Sequence, residues 1–376
     1  MTTDQAQRSK RPLKLRSNRV WRTYTGGKQI EDWQGRPNAQ DSAFPEEWVA
    51  SAVKAKNAGR EHIVEGWSLV EPEEEGGAHI ALKDLVESDP AAYLGPKHAT
   101  RYKEQMAVLV KVLDAGERLT IQVHPSRETA KELFDSEFGK TEAWYVLGGR
   151  EIDGEAPCIY LGFKPGMTKE RWRELFESQA IPDMLDSLHR IPVKKGDVFL
   201  VEGGVPHAIG AGCFLVEIQE PTDLTLRTER ITPSGLHVPD ASCHQGIGFE
   251  AMLDCFRYES LDLPSTLARY KKEPRLLRST EGGRETMLIG SEDTDRFSMN
   301  LLQINGPYAR RQNGGFSIAI VVQGSGELYW GQERMPVRQG DQFFFPAGLE
   351  AVTWVNADEQ AELKVVVCHP PEVKTS

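Results

Sequence analysis

Four side chains near the middle of the chain have types and spacing that suit chemistry. In Leu119-Thr120-Ile121-Gln122-Val123-His124-Pro125, Gln122 and His124 are separated by one residue. On a strand, positions i and i+2 share a face, so these two point one way while Ile121 and Val123 point the other. Pro125 ends such a strand because it cannot donate to a ladder. Glu142 and His207 add a carboxylate and a second imidazole. Two imidazoles, one carboxylate and one amide oxygen, with no thiolate and with water at an open position, suit a catalytic divalent metal, zinc foremost. Each residue also has an ordinary reading: a hydrogen-bonded Gln-x-His pair, a rim glutamate beside Trp144, a loop histidine in Gly203-Gly204-Val205-Pro206-His207. The metal is favoured because the sequence carries a second copy of the same pattern without these groups.

That second copy is explicit. Residues 192–207 read PVKKGDVFLVEGGVPH and residues 336–351 read PVRQGDQFFFPAGLEA, a constant offset of 144. Upstream, EAWYVLGG (142–149) resembles IAIVVQGS (318–325) at an offset of 176. On this alignment Glu142 falls opposite Ile318 and His207 opposite Ala351. Two copies of one β unit imply two stacked barrels or sandwiches, since closure removes exposed sheet edges. Around them, MAVLVKVLD (106–114) and the run from Leu119 to His124 read as two strands joined by a short turn. Helical spacing appears over Ser126–Phe138, over Thr168–Leu188 with Thr168 as N-cap, and over Gln245–Phe256.

The whole chain has 376 residues, 45 basic against 56 acidic, and a net charge of −11. Such a body repels nucleic acid. Its aliphatic runs are too short to span a bilayer. Residues 1–19 carry six Lys and Arg without an apolar core, which reads as a flexible basic arm rather than a secretory signal. Five widely spaced cysteines, with no Cys-x-x-Cys, suit reduced thiols in a cytoplasm. The expected organisation is the arm, a metal-binding unit over 20–251 with helical insertions, a connecting segment over 252–294, and a second unit over 295–376 that lacks metal ligands and is structural.

IQVHP, GKTEAWYVLGG, GDVFLVEGGVPHAI and FLVEIQEPTDLTLRT, in that order and approximate spacing, resemble the signature segments of type I mannose-6-phosphate isomerases, members of the cupin superfamily. The likeness runs over roughly residues 100–260, with a weaker C-terminal part. It implies a mostly β fold of two cupin-type jelly-roll barrels with a few inserted helices. It also implies one zinc ion on Gln122, His124, Glu142 and His207, a catalytic arginine at Arg227, and substrate contacts from Lys140 and Glu217. Two stretches depart from the family. Arg227-Thr228-Glu229-Arg230 stands where a tyrosine and an aspartate usually follow the arginine, and Trp21-Arg22-Thr23-Tyr24-Thr25-Gly26-Gly27 interrupts a Trp-Gly-Gly element. Both bear on the identity of the sugar rather than on the metal.

The implied reaction interconverts mannose 6-phosphate and fructose 6-phosphate through a cis-enediol. It needs an electrophile for two oxygens, a proton shuttle and a phosphate anchor. Arg227 suits charge stabilisation because a guanidinium holds its proton. Lys140 suits a phosphate or hydroxyl contact, helped by Arg127. The shuttle stays open among Lys140, Glu217 and a water on the metal. For Lys140 the ordinary reading is a surface lysine, and for Arg227 an ion pair with Asp223 or Glu217. Two other functions fit the same residues: a metal cupin oxygenase, and a non-catalytic sugar-phosphate sensor.

Overall fold

The computed structural model describes residues 7–72, 76–358 and 360–373. Its long strands form two pairs of facing antiparallel sheets. In the first pair, a seven-stranded sheet runs, in spatial order, Lys271–Lys272, Val198–Val201, Glu142–Gly149, Cys213–Gln219, Leu109–Asp114, Glu46–Val49 and Arg19–Val20. A five-stranded sheet faces it: Leu188–Pro192, Cys158–Phe163, His207–Ile209, Gln122–Val123 and Leu226–Arg227. In the second pair, a seven-stranded sheet runs Leu13–Lys14, Gln342–Phe345, Ser317–Gln323, Leu363–His369, Ser298–Ile304, Gly283–Ile289 and Arg275–Thr280. Its four-stranded partner holds Tyr308–Arg311, Ala351–Asn356, Ser325–Trp330 and Glu333–Arg338.

The two seven-stranded sheets pack back to back, which explains why their strands read as nearly continuous apolar runs. Val110, Val112, Val216 and Ile218 meet Met299, Leu301, Ile318, Ile320 and Val366 in one core. The alternate residues, among them Leu113, Trp144, Phe199 and Leu215, turn into the N-terminal half. Leu302, Ala319, Phe343 and Val365 do the same in the C-terminal half. Both faces of each sheet are therefore buried, and only a polar residue such as Lys111 or Glu217 betrays which face is inward.

Several expectations change. Residues 7–19 are not a free arm: Leu13 pairs with Phe344, Lys14 pairs with Phe343, and Leu13 and Leu15 are buried. Their period-2 apolar side chains suit a sheet edge, and the surrounding basic residues hide that pattern. Residues 1–6 of the expected arm lie outside the described residues. The segment 252–294 is not simply a connector. Arg275–Thr280 and Gly283–Ile289 are strands of the C-terminal sheet, while Lys271–Lys272 pairs with Val198 and Phe199 of the N-terminal one. The strands Leu109–Asp114 and Gln122–Val123 lie in different sheets, so the turn between them crosses the sandwich instead of closing a hairpin.

The helices are shorter than their periodicity suggests. Ser126 caps Arg127–Phe134, which stops at Asp135 with φ of 48°. Thr168 caps Lys169–Glu177, and Pro182 then starts a separate helix, Ile181–Asp186. Phe249–Asp254 is the third.

The internal repeat is real but slips by one residue at both site positions. Val201 pairs with Glu142 as Phe345 pairs with Ser317, so Ser317, not Ile318, stands where Glu142 stands. Likewise His207 pairs with Gln122 as the inward-facing Val352 pairs with Arg310, so Val352, not Ala351, is the counterpart of His207. Since side chains alternate, a slip of one places Ile318 on the opposite face, in the core between the halves.

Candidate metal centre and the cavity beside it

Three elements deliver the expected ligands to one point. Gln122 lies in the five-stranded sheet with His207 as its direct cross-strand partner, and His124 ends the same segment. Glu142 opens the facing strand Glu142–Gly149. His124 Nε2 lies 3.2 Å from Glu142 Oε2, and His207 Nε2 lies 3.3 Å from Glu142 Oε1. The ligand atoms of His124, Glu142 and His207 all fall within 4.8 Å of one another, and all three residues are buried.

The backbone fixes both imidazoles. His124 Nδ1 lies 2.9 Å from the Leu224 carbonyl, and His207 Nδ1 lies 2.9 Å from the Val205 carbonyl. A carbonyl only accepts, so each Nδ1 carries the hydrogen and each Nε2 turns a lone pair toward Glu142. Burial and the neighbouring Lys140 ammonium push His124 down to about 3, so it is a neutral ligand. Burial alone would raise the Glu142 carboxyl, but Lys140 and His124 outweigh it and hold the group well below the usual carboxylate range. Glu142 Oε1 is buried with no hydrogen-bond donor among the described residues, an acceptor that a cation would satisfy. The Gln122 amide nitrogen lies 3.2 Å from His207 Nε2. Turning this amide over exchanges nitrogen for an oxygen at the same place. The donor set thus fits a divalent cation: neutral imidazoles, an ionised carboxylate and an amide oxygen.

Two glycines hold the His124 segment in place. A Cβ on Gly139 would meet the Pro125 carbonyl at 2.6 Å, and one on Gly203 would meet Ser126 Cα at 2.7 Å. Both turns therefore close against the peptide that follows His124, and Gly204 N donates to the His124 carbonyl at 2.7 Å.

Lys140 is buried, which removes its reading as a surface lysine. Its ammonium lies 2.8 Å from His124 Nε2, donates to Glu142 Oε2, and stands 4.0 Å from Glu217 Oε1. Glu217 is paired with Lys111 at 3.1 Å. Behind them Glu46 collects Arg22, Tyr24 and Trp48, and Arg22 also grips Asp223 through two bonds of 3.0 and 3.1 Å. Asp223 and Glu217 thus have other partners. Arg227 donates instead to the Thr225 and Ser242 carbonyls, with no carboxylate in ion-pair range among the described residues. Burial lowers its guanidinium below the ordinary value, yet an arginine stays charged. Arg127 is tied to Glu220 and stacks on Phe138, so it is committed elsewhere.

A cavity of about 40 Å³ adjoins the centre, lined by Lys111, Gln122, Lys140, Glu217, Arg227 and the Thr232-Pro233 turn. It has room for little more than a water, so a larger guest requires the lysine side chain or that turn to move. Arg22, Tyr24, Glu46 and Lys111 were not identified from sequence. Lys111 did leave a signal, as the one cation inside LVKVLD.

Comparison with known proteins settles the family. Residues 36–142 match the catalytic domain of type I phosphomannose isomerase, and residues 288–363 match the cupin domain of mannose-6-phosphate isomerase. Mannose-6-phosphate isomerase ManA of Bacillus subtilis is 30% identical over 246 residues, covering 65% of this chain and 71% of that protein. The chain belongs to the type I mannose-6-phosphate isomerase family. Mannose-6-phosphate isomerase of Streptococcus mutans is 28% identical over 265 residues, 70% of this chain and 74% of that one. In fold, the chain is similar to the crystal structure of the Bacillus subtilis mannose 6-phosphate isomerase, with a TM-score of 0.72 at 23% identity, covering 95% and 99% of the two chains. A variant phosphomannose isomerase from Salmonella typhimurium gives a TM-score of 0.71 at 15% identity over 96% and 100%. Among the described residues no helix is long and apolar enough to cross a membrane.

Proposed function

We propose that this chain interconverts mannose 6-phosphate and fructose 6-phosphate through a cis-enediol, with one zinc ion held by Gln122, His124, Glu142 and His207. The observation that carries the reading is the convergence of two imidazole lone pairs on a buried carboxylate, beside an arginine that has no carboxylate partner among the described residues, in a chain of this family. When bound, a divalent ion supplies a Lewis acid for the oxygens on C1 and C2.

The chain's own groups do the rest. Arg227, with no carboxylate in ion-pair range among the described residues, offers donors to the enediolate oxygen as negative charge develops. Lys140 and Glu217 contact the substrate, and both are positioned to exchange a proton with it once Lys140 leaves the imidazole. Their separate substitution identifies which one does so. Charge supports a phosphate ester. Arg22, Lys111, Lys140 and Arg227 balance Glu46, Glu142, Glu217 and Asp223, so a divalent ion leaves a surplus of two positive charges for a phosphate dianion.

The two sheet pairs are proposed to be cupin-type jelly rolls, the catalytic one over 20–272 and the structural one over 275–376 joined by the strand Leu13–Lys14. Ser317 and Val352 at the ligand positions support the structural role of the second. Five free, buried cysteines support a cytoplasmic location. The deciding assay offers a panel of aldose 6-phosphates, with and without zinc, and measures ketose formation. Mannose 6-phosphate is expected to be converted only with metal. Oxygen uptake would favour the oxygenase, and binding without solvent exchange of the C2 proton would favour a sensor.

A further inference from the structure

The C-terminal half holds the larger opening, a cavity of about 930 Å³, within the range of roughly 300–1,000 Å³ typical of small-molecule sites. Strand register shows what it descends from. Glu285 pairs with Leu302 as Glu46 pairs with Leu113, and Asn300 pairs with Val367 as Lys111 pairs with Glu217. The acidic position of the N-terminal cavity is therefore kept. Glu285 is again buried and again accepts from a tyrosine and an arginine, Tyr308 and Arg310, as well as from Asn300.

The difference lies at the metal position. Arg310 stands where Gln122 stands, Val352 where His207 stands and Ser317 where Glu142 stands. A fixed guanidinium thus replaces a set of cation ligands. Arg310 Nη2 lies 2.8 Å from His369 Nε2 and Nε donates to Glu285, while Nη1 makes no hydrogen bond among the described residues. The rim adds Lys97, Arg278 and Arg311, none within ion-pair range of a carboxylate among the described residues. Of the lining carboxylates, Glu285 is matched by Arg310, Asp295 pairs with Arg296, and Glu372 alone has no cation in ion-pair range among the described residues. A local surplus of positive charge in a chain of net charge −11 marks a site for an anion.

We propose that this cavity binds a small phosphorylated polyol, its phosphate on Arg310 Nη1 and the rim cations and its hydroxyls on the Asn300 and Ser298 side chains. The site does not depend on the isomerase reading, and its ligand is bound without being converted.

The test is calorimetric titration of the metal-loaded full chain with sorbitol 6-phosphate, which has no carbonyl to isomerise. Wild type is expected to show a binding event beyond that at the metal centre, and this second event disappears in Arg278→Ala/Arg311→Ala, with kcat and KM for isomerisation unchanged. Arg310→Met is expected to remove the same event. Because Arg310 is half-buried and tied to Glu285 and His369, the exposed double variant keeps the test valid if Arg310→Met fails to fold. Inorganic phosphate is expected to bind there roughly tenfold more weakly or worse, a difference of about 1.4 kcal/mol. Identical isotherms for wild type and the double variant would overturn the site, and equal affinity for inorganic phosphate would overturn the polyol. Loss of this event in a chain that proves inactive as an isomerase would still support the site.

Discussion

The Lys140 ammonium lies 2.8 Å from the ring nitrogen of His124 that faces Glu142. It also donates to Glu142, so one lysine occupies two of the atoms proposed to hold the metal. Lysine and metal therefore compete for the same lone pairs. Lys140→Met is expected to tighten metal binding several-fold while lowering kcat by about 100-fold or more. Competition with a chromogenic chelator, run beside a turnover assay, measures both. Weaker metal binding in the variant would mean that the lysine supports the centre.

Arg227 has no carboxylate partner among the described residues, so its charge is available to a guest. Arg227→Ala is expected to lower kcat by about 100- to 1,000-fold, the loss typical of one oxyanion donor. Zinc content and melting temperature should stay close to wild type. Arg227→Lys should recover little, because a lysine lacks the planar fork.

Gly139 and Gly203 press on the same peptide after His124. Gly203→Ala drives a methyl against Ser126 Cα at 2.7 Å and the Pro125 carbonyl at 2.8 Å, both backbone atoms with little freedom to yield. The expected outcome is a loss of metal affinity of about tenfold with stability lowered by roughly 1–3 kcal/mol. Equilibrium dialysis and urea denaturation report the two effects separately.

Stability should depend on acid through the cluster behind the cavity. Burial raises the Glu46 carboxyl, but Arg22 and Lys111 outweigh it and hold the group at about 2, against 4.5 ordinarily. Asp223 is also held low, its burial outweighed by Arg22 and Lys111. A depressed folded-state value favours the native state above the unfolded value, and that contribution fades as pH falls from about 4.5 to about 2. For Glu46 it amounts to about 3 kcal/mol. Urea midpoints between pH 6 and 3 should fall steeply in wild type and less in Glu46→Gln.

The convergence of Gln122, His124, Glu142 and His207 was legible because it rests on local rules. Gln122 and His124 share a strand face, and Glu142 and His207 sit at landmarks of a repeat. The register of that repeat was not legible. A single slip exchanges inward and outward faces, and Ile318 and Ser317 are adjacent in sequence but open onto different cores. Leu13 was lost among basic neighbours, although its partner Phe344 lies more than three hundred residues away and only tertiary structure joins them. The Arg22, Glu46, Lys111 and Asp223 cluster has the same origin: four segments remote in sequence meet behind one cavity.

Turnover is expected to depend on an ion bound by His124, Glu142 and His207. The most direct measurement is metal content and mannose 6-phosphate isomerisation on one preparation, as purified, after chelator treatment and after zinc is restored. About one zinc per chain, loss of activity with the metal, and recovery on its return are expected. Isomerisation at the full rate by metal-free protein would show that the three residues serve turnover without an ion.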